Sequence, residues 1–215
     1  MKQSRLLTIA TVVVVVLILA AAIVIPRLSG NGSQTAGADI DYAAQPYVGD
    51  PEAPAKVTVF FDFLCPHCAN FAETVTSVLK REYVDDGQAA IYFVNFPVIA
   101  PQGMSRTLAM VGECVNRQGS DGFGILEPVL LRAQSTLNTP QRAYELAEQF
   151  VPGLDRAALE ECVQGNETAA LVDEDVQLAR RLGVTGTPSV FVNGRLVSNA
   201  TLANVRAAIE DAQPE

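Results

Sequence analysis

The hydrophobic pattern divides the chain into three stretches. Leu6 to Ile25 is an apolar run of 20 residues without a charge. At about 1.5 Å rise per helical residue, a run of that length spans a hydrocarbon core about 30 Å thick. Ser29 to Ala38 is small and polar, the composition of a flexible tether. From Asp39 to Glu215 short apolar runs alternate with helical periodicities, in a length that suits one domain with a sizeable core. The expected organisation is a cytoplasmic N-terminus and transmembrane anchor over 1–28, a linker over 29–39 and one domain over 40–215.

Within that domain, Val57 to Phe61 is a continuous apolar run that predicts a buried strand. Asn70 to Tyr83 is amphipathic and predicts a helix, closed by the turn Asp85-Asp86-Gly87. Ala89 to Phe96 predicts a second strand, stopped by Pro97 and Pro101. Met104, Leu108, Val111 and Val115 then recur at helical spacing, with Gly119 as a terminator. Gly122-Phe123-Gly124 reads as a turn. Thr139-Pro140 opens another helix, and Leu154-Asp155 opens a short one through Cys162. Asn166 is expected to cap a longer helix that runs to Leu182 and stops at Gly183. Ser189–Val192 and Arg195–Val197 flank Asn193-Gly194, the strongest short-range hairpin signal. Thr201 to Asp211 predicts a closing helix. The order β, α, β, helical block, β-hairpin, α is that of an α/β thioredoxin-like fold with a helical insertion at about residues 100–183.

The flanks of the apolar run set its orientation. Lys2 and Arg5 precede it and Arg27 alone follows closely, which places the N-terminus in the cytoplasm and the domain outside. A cleaved signal peptide is the alternative, with Ala20-Ala21-Ala22 as the cleavage site, although cleavable apolar cores are usually shorter, about 7–15 residues. Both readings export the domain to a compartment where disulfides persist. The formal charge of −9 argues against a nucleic-acid partner, which would favour a basic face.

The candidate chemistry lies between the first strand and the helix that follows, in Cys65-Pro66-His67-Cys68. Two thiols three positions apart at a strand-to-helix junction can cycle between dithiol and disulfide. Cys65, exposed at the helix N-terminus, meets unpaired N–H groups and the positive end of the helix dipole, which favour a thiolate. His67 is the only histidine in the chain. A partly positive imidazole between the two cysteines adds to the same preference. Cys68, one turn further in, is expected to be buried and to act as the resolving thiol. The other two cysteines, Cys114 and Cys162, fall in the helical block. Outside the cytoplasm an even, otherwise unexplained pair is expected to form a structural disulfide, Cys114–Cys162; a pair of buried free thiols or a second relay pair are the alternatives. A four-cysteine zinc site would need these same two residues, 48 positions apart and not arranged as a second Cys-x-x-Cys, so no metal is expected.

Taken together, Gly49-Asp50-Pro51-Glu52-Ala53-Pro54, Phe61-Asp62-Phe63-Leu64-Cys65-Pro66-His67-Cys68, Phe71 and Gly183-Val184-Thr185-Gly186-Thr187-Pro188-Ser189 carry a resemblance. Over roughly Tyr47 to the C-terminus the chain resembles the DsbA-like thiol–disulfide oxidoreductases of the thioredoxin superfamily, in the membrane-anchored bacterial branch related to BdbD. The resemblance implies catalysis by Cys65 and Cys68 with Pro66 and His67 between them, and a cis peptide at Thr187–Pro188 that faces the thiols. Thr187 would then tune the thiolate and pair with an extended substrate segment. No cofactor is implied, because the redox equivalent is the Cys65–Cys68 bond. The implied partners are reduced exported proteins with cysteine pairs, and a membrane quinone reductase of the DsbB-like or VKOR-like type that reoxidises the pair. One position departs from the thioredoxin pattern. Val59 stands six residues before Cys65, where thioredoxins commonly carry an acid, which leaves Asp62 and Glu73 as candidates to relay a proton to Cys68.

Overall fold

The computed structural model describes residues 38–214. The expected anchor at Leu6–Ile25 and nearly all of the tether lie outside the described residues. Among the described residues no helix is long and apolar enough to cross a membrane.

Two strands form the centre of the sheet. β1 (Tyr47–Val48), β2 (Ala55–Phe61) and β3 (Ala89–Asn95) are followed after a long helical block by β4 (Ser189–Val192) and β5 (Arg195–Leu196). Their order across the sheet is β1-β3-β2-β4-β5. β2 and β3 run parallel, with Val57 opposite Ile91 and Phe61 opposite Asn95. Every residue of β3 is buried, and all of β2 except Lys56. Strands hidden on both faces read as unbroken apolar runs and require cover on both sides.

Helices supply that cover. α1 occupies residues 66–84, with α-helical turns Pro66–Phe71 and Ser77–Leu79 alternating with π-helical Ala72–Thr76 and Lys80–Val84. The insertion between β3 and β4 comprises α2 (Met104–Asn116), α3 (Ser120–Arg132), α4 (Pro140–Phe150), α5 (Arg156–Gln164) and α6 (Ala169–Arg181), and α7 (Leu202–Glu210) closes the chain. Val57, Val59 and Phe61 of β2 share one core with Phe71, Val75 and Leu79 of α1 and Val205 and Ile209 of α7. Phe60 points the opposite way and packs with Val94, Phe191, Leu178 and Ala179, the last two from α6. The result is a three-layer α/β/α arrangement.

The structure corrects the sequence reading at three places. Gly122, Phe123 and Gly124 are not a turn but part of α3. Phe123 is fully buried and enters the aromatic cluster of Phe61, Phe63 and Phe93, with its ring 5.3 Å from that of Phe93. Each flanking glycine lies where a side chain would collide: a Cβ on Gly122 would come within 3.0 Å of Val115, and one on Gly124 would strike Val48. Close packing, not backbone freedom, selects these glycines. At the start of α6, Asn166 has left-handed φ 54° and Thr168 is the N-cap, so the expected cap lies two residues too early. The far end behaves as a glycine stop: Gly183 takes φ 70° after the last turn. β1, too short for any periodic signal, pairs antiparallel with β3 at the sheet edge.

A buried polar cluster joins the layers at the end of β3. The Asn95 side-chain amide donates to Glu113 Oε1 at 2.7 Å and to Asp175 Oδ2 at 3.1 Å, and its backbone N–H donates to the same Asp175 oxygen at 2.8 Å. Burial and the neighbouring Asp175 push the Glu113 carboxyl up to about 8. Burial likewise raises Asp175 to about 6, against the hydrogen bonds from Asn95 and Gln45.

Candidate active site

Strand pairing brings the two sequence motifs together. β4 runs antiparallel to β2 and sets Ser189 opposite Phe60, so the residues just before β4 lie beside those just after β2. Thr187–Pro188 therefore meets the Cys-Pro-His-Cys turn, and its peptide bond is cis. The Cys65 thiol donates to the Thr187 carbonyl at 3.3 Å. Both Cys65 and Cys68 are free thiols, the reduced form of the pair.

The turn that presents Cys65 is held from several sides. Asp62 sits between β2 and the motif, buried, and its carbonyl accepts the Cys65 N–H at 3.0 Å. Its Oδ1 accepts from Leu64 N at 2.9 Å, and its Oδ2 accepts from Val98 N and Ile99 N, each at 2.8 Å. The Asp62 carboxylate thus ties the loop after β3 to the active-site turn, three backbone donors for two oxygens. Cys65 is the N-cap of α1 and Pro66 follows at the first helical position, where its missing N–H costs no helical bond. The Cys65 carbonyl opens the helix by accepting from Cys68 N at 3.0 Å and Ala69 N at 3.2 Å.

The two thiols differ in their surroundings. Cys65 was expected to be exposed, but only 3% of it is accessible, because the Thr187–Pro188 segment lies against the sulfur. Cys68 is as deeply placed, and burial raises its thiol pKa far above the ordinary value. The nearby Cys65 sulfur pushes the same way, while the Asp62 backbone and the Thr187 hydroxyl oppose it. Thr187 therefore acts on both thiols, its carbonyl accepting from Cys65 and its hydroxyl, buried without a hydrogen-bond partner among the described residues, opposing the rise at Cys68. His67 is exposed between them.

No carboxylate stands among the groups that act on Cys68. The Asp62 carboxylate is committed to backbone N–H groups, and Glu73 is exposed on another face of α1. Neither is positioned as the proton relay suggested for it. Glu73 instead lines a cavity of about 260 Å³ between α1 and α3, together with Ala72, Thr76, Lys80 and Glu127. Glu127 is buried there, its Oε2 without a hydrogen-bond partner among the described residues. Burial pushes its carboxyl up to about 7, against the pull of Lys80 and Arg132.

Cys114 on α2 and Cys162 on α5 are bonded to each other, 48 residues apart. Among the described residues no cluster of three or more His, Cys, Asp or Glu side chains is placed to hold a metal ion. One residue at the site carries no signal in the sequence. Gln134, in the 3₁₀ turn Gln134–Thr136 after α3, reaches back from the insertion to the carbonyls of Phe63 and Cys65.

The chain is similar to known proteins in sequence and in fold. The family model described as thioredoxin matches residues 42–211. A probable disulfide bond formation protein D of Bacillus anthracis is 32% identical over 173 residues, covering 79% of this chain and 78% of the relative. Disulfide bond formation protein D of Bacillus subtilis is 27% identical over 171 residues, 77% of this chain and 76% of that one. Among solved structures, oxidised BdbD from Bacillus subtilis superposes with a TM-score of 0.73 at 25% identity, over 82% of this chain and 96% of the other. Chlamydia trachomatis DsbA superposes at 0.68 with 23% identity, over 77% and 88%, a likeness of fold. With a Cys-Pro-His-Cys helix start set against a cis-proline loop and with these relatives, the chain belongs to the thioredoxin family, as a DsbA-like thiol–disulfide oxidoreductase.

Proposed function

We propose that the chain is an extracytoplasmic dithiol oxidase that introduces disulfides into exported proteins through the Cys65–Cys68 pair. The observation that carries the reading is the asymmetry of the two thiols around Thr187. Cys65 meets the helix N-terminus and the edge of the cis-proline loop, where an extended substrate segment can lie, whereas burial holds Cys68 in its protonated form.

The reaction starts from the oxidised pair. A substrate thiolate attacks Cys65 Sγ, the Cys65–Cys68 bond breaks, and Cys68 leaves and takes up a proton, as its raised pKa favours. The second substrate thiolate then attacks the substrate sulfur of the mixed disulfide and expels Cys65 as a thiolate, stabilised by the helix start and by His67. The substrate loses two electrons and two protons, and the pair gains both electrons. Thr187 and Pro188 bind the substrate backbone beside Cys65. Reoxidation falls to a membrane quinone reductase of the DsbB-like or VKOR-like type. The apolar run Leu6–Ile25 supplies a single-pass anchor that holds the domain on the outer face of the membrane near that partner.

The reduction potential of the pair, from equilibration with glutathione, tests the direction. An oxidase gives a value well above that of thioredoxin, about −270 mV. A value as negative as thioredoxin's would turn the reading to a reductase. Fractionation with N-terminal sequencing tests the anchor, and a soluble product that begins near Ala21–Ile23 would overturn it.

A further inference from the structure

Gln134 makes two hydrogen bonds that bear directly on the redox pair. Its Nε2 donates to Phe63 O at 2.8 Å and to Cys65 O at 2.8 Å, across 71 and 69 residues of sequence. An amide nitrogen has two hydrogens, and here each finds a carbonyl on either side of Leu64. The opposite orientation of the amide would set its oxygen against two carbonyl oxygens, so the donors define it. The Cys65 carbonyl also accepts the opening bonds of α1 from Cys68 N and Ala69 N. Three donors therefore converge on one oxygen, and the third comes from outside the thioredoxin core.

That oxygen belongs to the residue whose sulfur reacts. Fixing the Cys65 carbonyl fixes the peptide plane at the N-cap and with it the direction of the Cys65 side chain, whose sulfur meets Thr187 O at 3.3 Å on its other side. Carbonyl oxygens carry partial negative charge, so one that swings toward the sulfur opposes a thiolate. A donor that holds two carbonyls by their oxygens both pins them and offsets that charge. Resting on the oxidase reading of Cys65, we infer that Gln134 is a positioning residue for thiol–disulfide exchange, through which the helical insertion sets the redox equilibrium of the Cys65–Cys68 pair.

A residue that only satisfied two loop carbonyls would affect stability alone. The test therefore combines three substitutions with two readouts. Gln134→Met keeps the length and removes the donors. Gln134→Glu keeps the shape and sets a carboxylate against the carbonyls. Gln134→Lys restores a donor. The readouts are the equilibrium constant of the pair against glutathione and the thermal midpoint. The expected order of oxidising strength is wild type and Gln134→Lys together, then Gln134→Met, then Gln134→Glu. Gln134→Met should lose three- to tenfold in the constant, where tenfold is about 30 mV for this two-electron couple. Constants within twofold of wild type in Met and Lys variants, with a lowered thermal midpoint, would reduce Gln134 to a structural brace. If Gln134→Glu does not fold, the ratio of Gln134→Met to wild type decides alone. A thioredoxin-like potential in the wild type would overturn the oxidase reading, yet the order among the variants would still accept or reject the role of Gln134.

Discussion

Cys65 and Cys68 stand three positions apart at the start of one helix, whereas Cys114 and Cys162 stand 48 apart on two helices of the insertion. The first pair is present as free thiols, with one sulfur bonded to a backbone carbonyl. The second pair is joined, with Cys114 buried beside the Thr168 hydroxyl and Arg117 reaching to 3.9 Å from the Cys162 sulfur. Chain entropy separates the two. A bond that closes two intervening residues removes little freedom from the unfolded chain. One that closes a loop of 48 residues removes much more, and so stabilises the folded chain more. The local environment then adds to the difference. The first pair has a helix terminus and the Thr187 carbonyl, groups whose interaction with sulfur changes when its charge changes. The second pair is packed between α2 and α5. One bond is suited to exchange and the other to holding the fold, and the surroundings of the sulfurs decide which.

Replacing either cysteine of the first pair should have the largest effect. Cys65→Ser should reduce oxidation of an unfolded two-cysteine peptide to the uncatalysed rate, and Cys68→Ala, which has no internal disulfide to donate, should be as inactive; presented with the disulfide form of the peptide, its Cys65 thiolate should open that bond and remain as a mixed disulfide visible by mass spectrometry. Retention of turnover in Cys65→Ser would remove the distinction between the pairs.

Replacing the second pair should move stability and leave the chemistry alone. On the chain-entropy model the Cys114→Ala/Cys162→Ala double variant loses about 4 kcal/mol against urea. The glutathione equilibrium of Cys65–Cys68 should remain at its wild-type value. A shift in that equilibrium would mean that the two pairs communicate, and that the second is a relay rather than a staple.

Much of this frame was legible in the sequence, and the parts that were not share a cause. The runs Val57–Phe61 and Ala89–Phe96 lie within one or two residues of β2 and β3 because central strands are apolar on both faces and need no alternation. Asn193-Gly194 marks the hairpin because both residues must take positive φ, 46° and 74°, which few residues tolerate. The thioredoxin family resemblance and the Cys-Pro-His-Cys helix start were likewise readable from local residues. What escaped depends on contacts between distant segments. Gly122 and Gly124 lower helix propensity, yet they sit in α3 because Val115, Val151 and Val48 leave no room for a side chain. The burial of Cys65 is imposed by a loop 122 residues away. Gln134 looks like any surface glutamine until the fold sets it against the backbone of Cys65.

Each pair also has a buried acid near its helix, and pH should separate them. Glu127 lies against α1, and Glu113 adjoins Cys114 on α2. Both hold their protons more tightly in the folded chain than at the ordinary value of 4.5, up to about 7 and about 8 respectively. Their stabilising effect is therefore complete below about pH 4.5 and is lost as pH rises through those values. Within the window each group contributes a slope of about 1.4 kcal/mol per pH unit at most. Glu127→Gln should flatten the loss of urea stability up to about pH 7, and Glu113→Gln should flatten it up to about pH 8. Wild-type slopes in both variants would show that neither carboxyl titrates in this window.

The smallest expected effect tests whether side-chain charge adds to what the backbone already provides at the first pair. His67 is the sole histidine and is exposed, in the first turn of α1 between the two thiols. A positive imidazole there favours a Cys65 thiolate, hence the reduced form, hence a more oxidising disulfide. The helix start and the carbonyl bonds remain when His67 is removed, so His67→Ala should retain most of the oxidising strength. A loss of about threefold in the glutathione equilibrium constant, under half of the 30 mV that a tenfold change represents, is the expected size. Because the chain has no tryptophan, the redox state is best read by alkylation and mass shift rather than by fluorescence. A loss far beyond tenfold would mean that the imidazole, and not the helix start, dominates the thiolate preference. An unchanged equilibrium constant would mean that backbone groups alone set the difference between this pair and Cys114–Cys162.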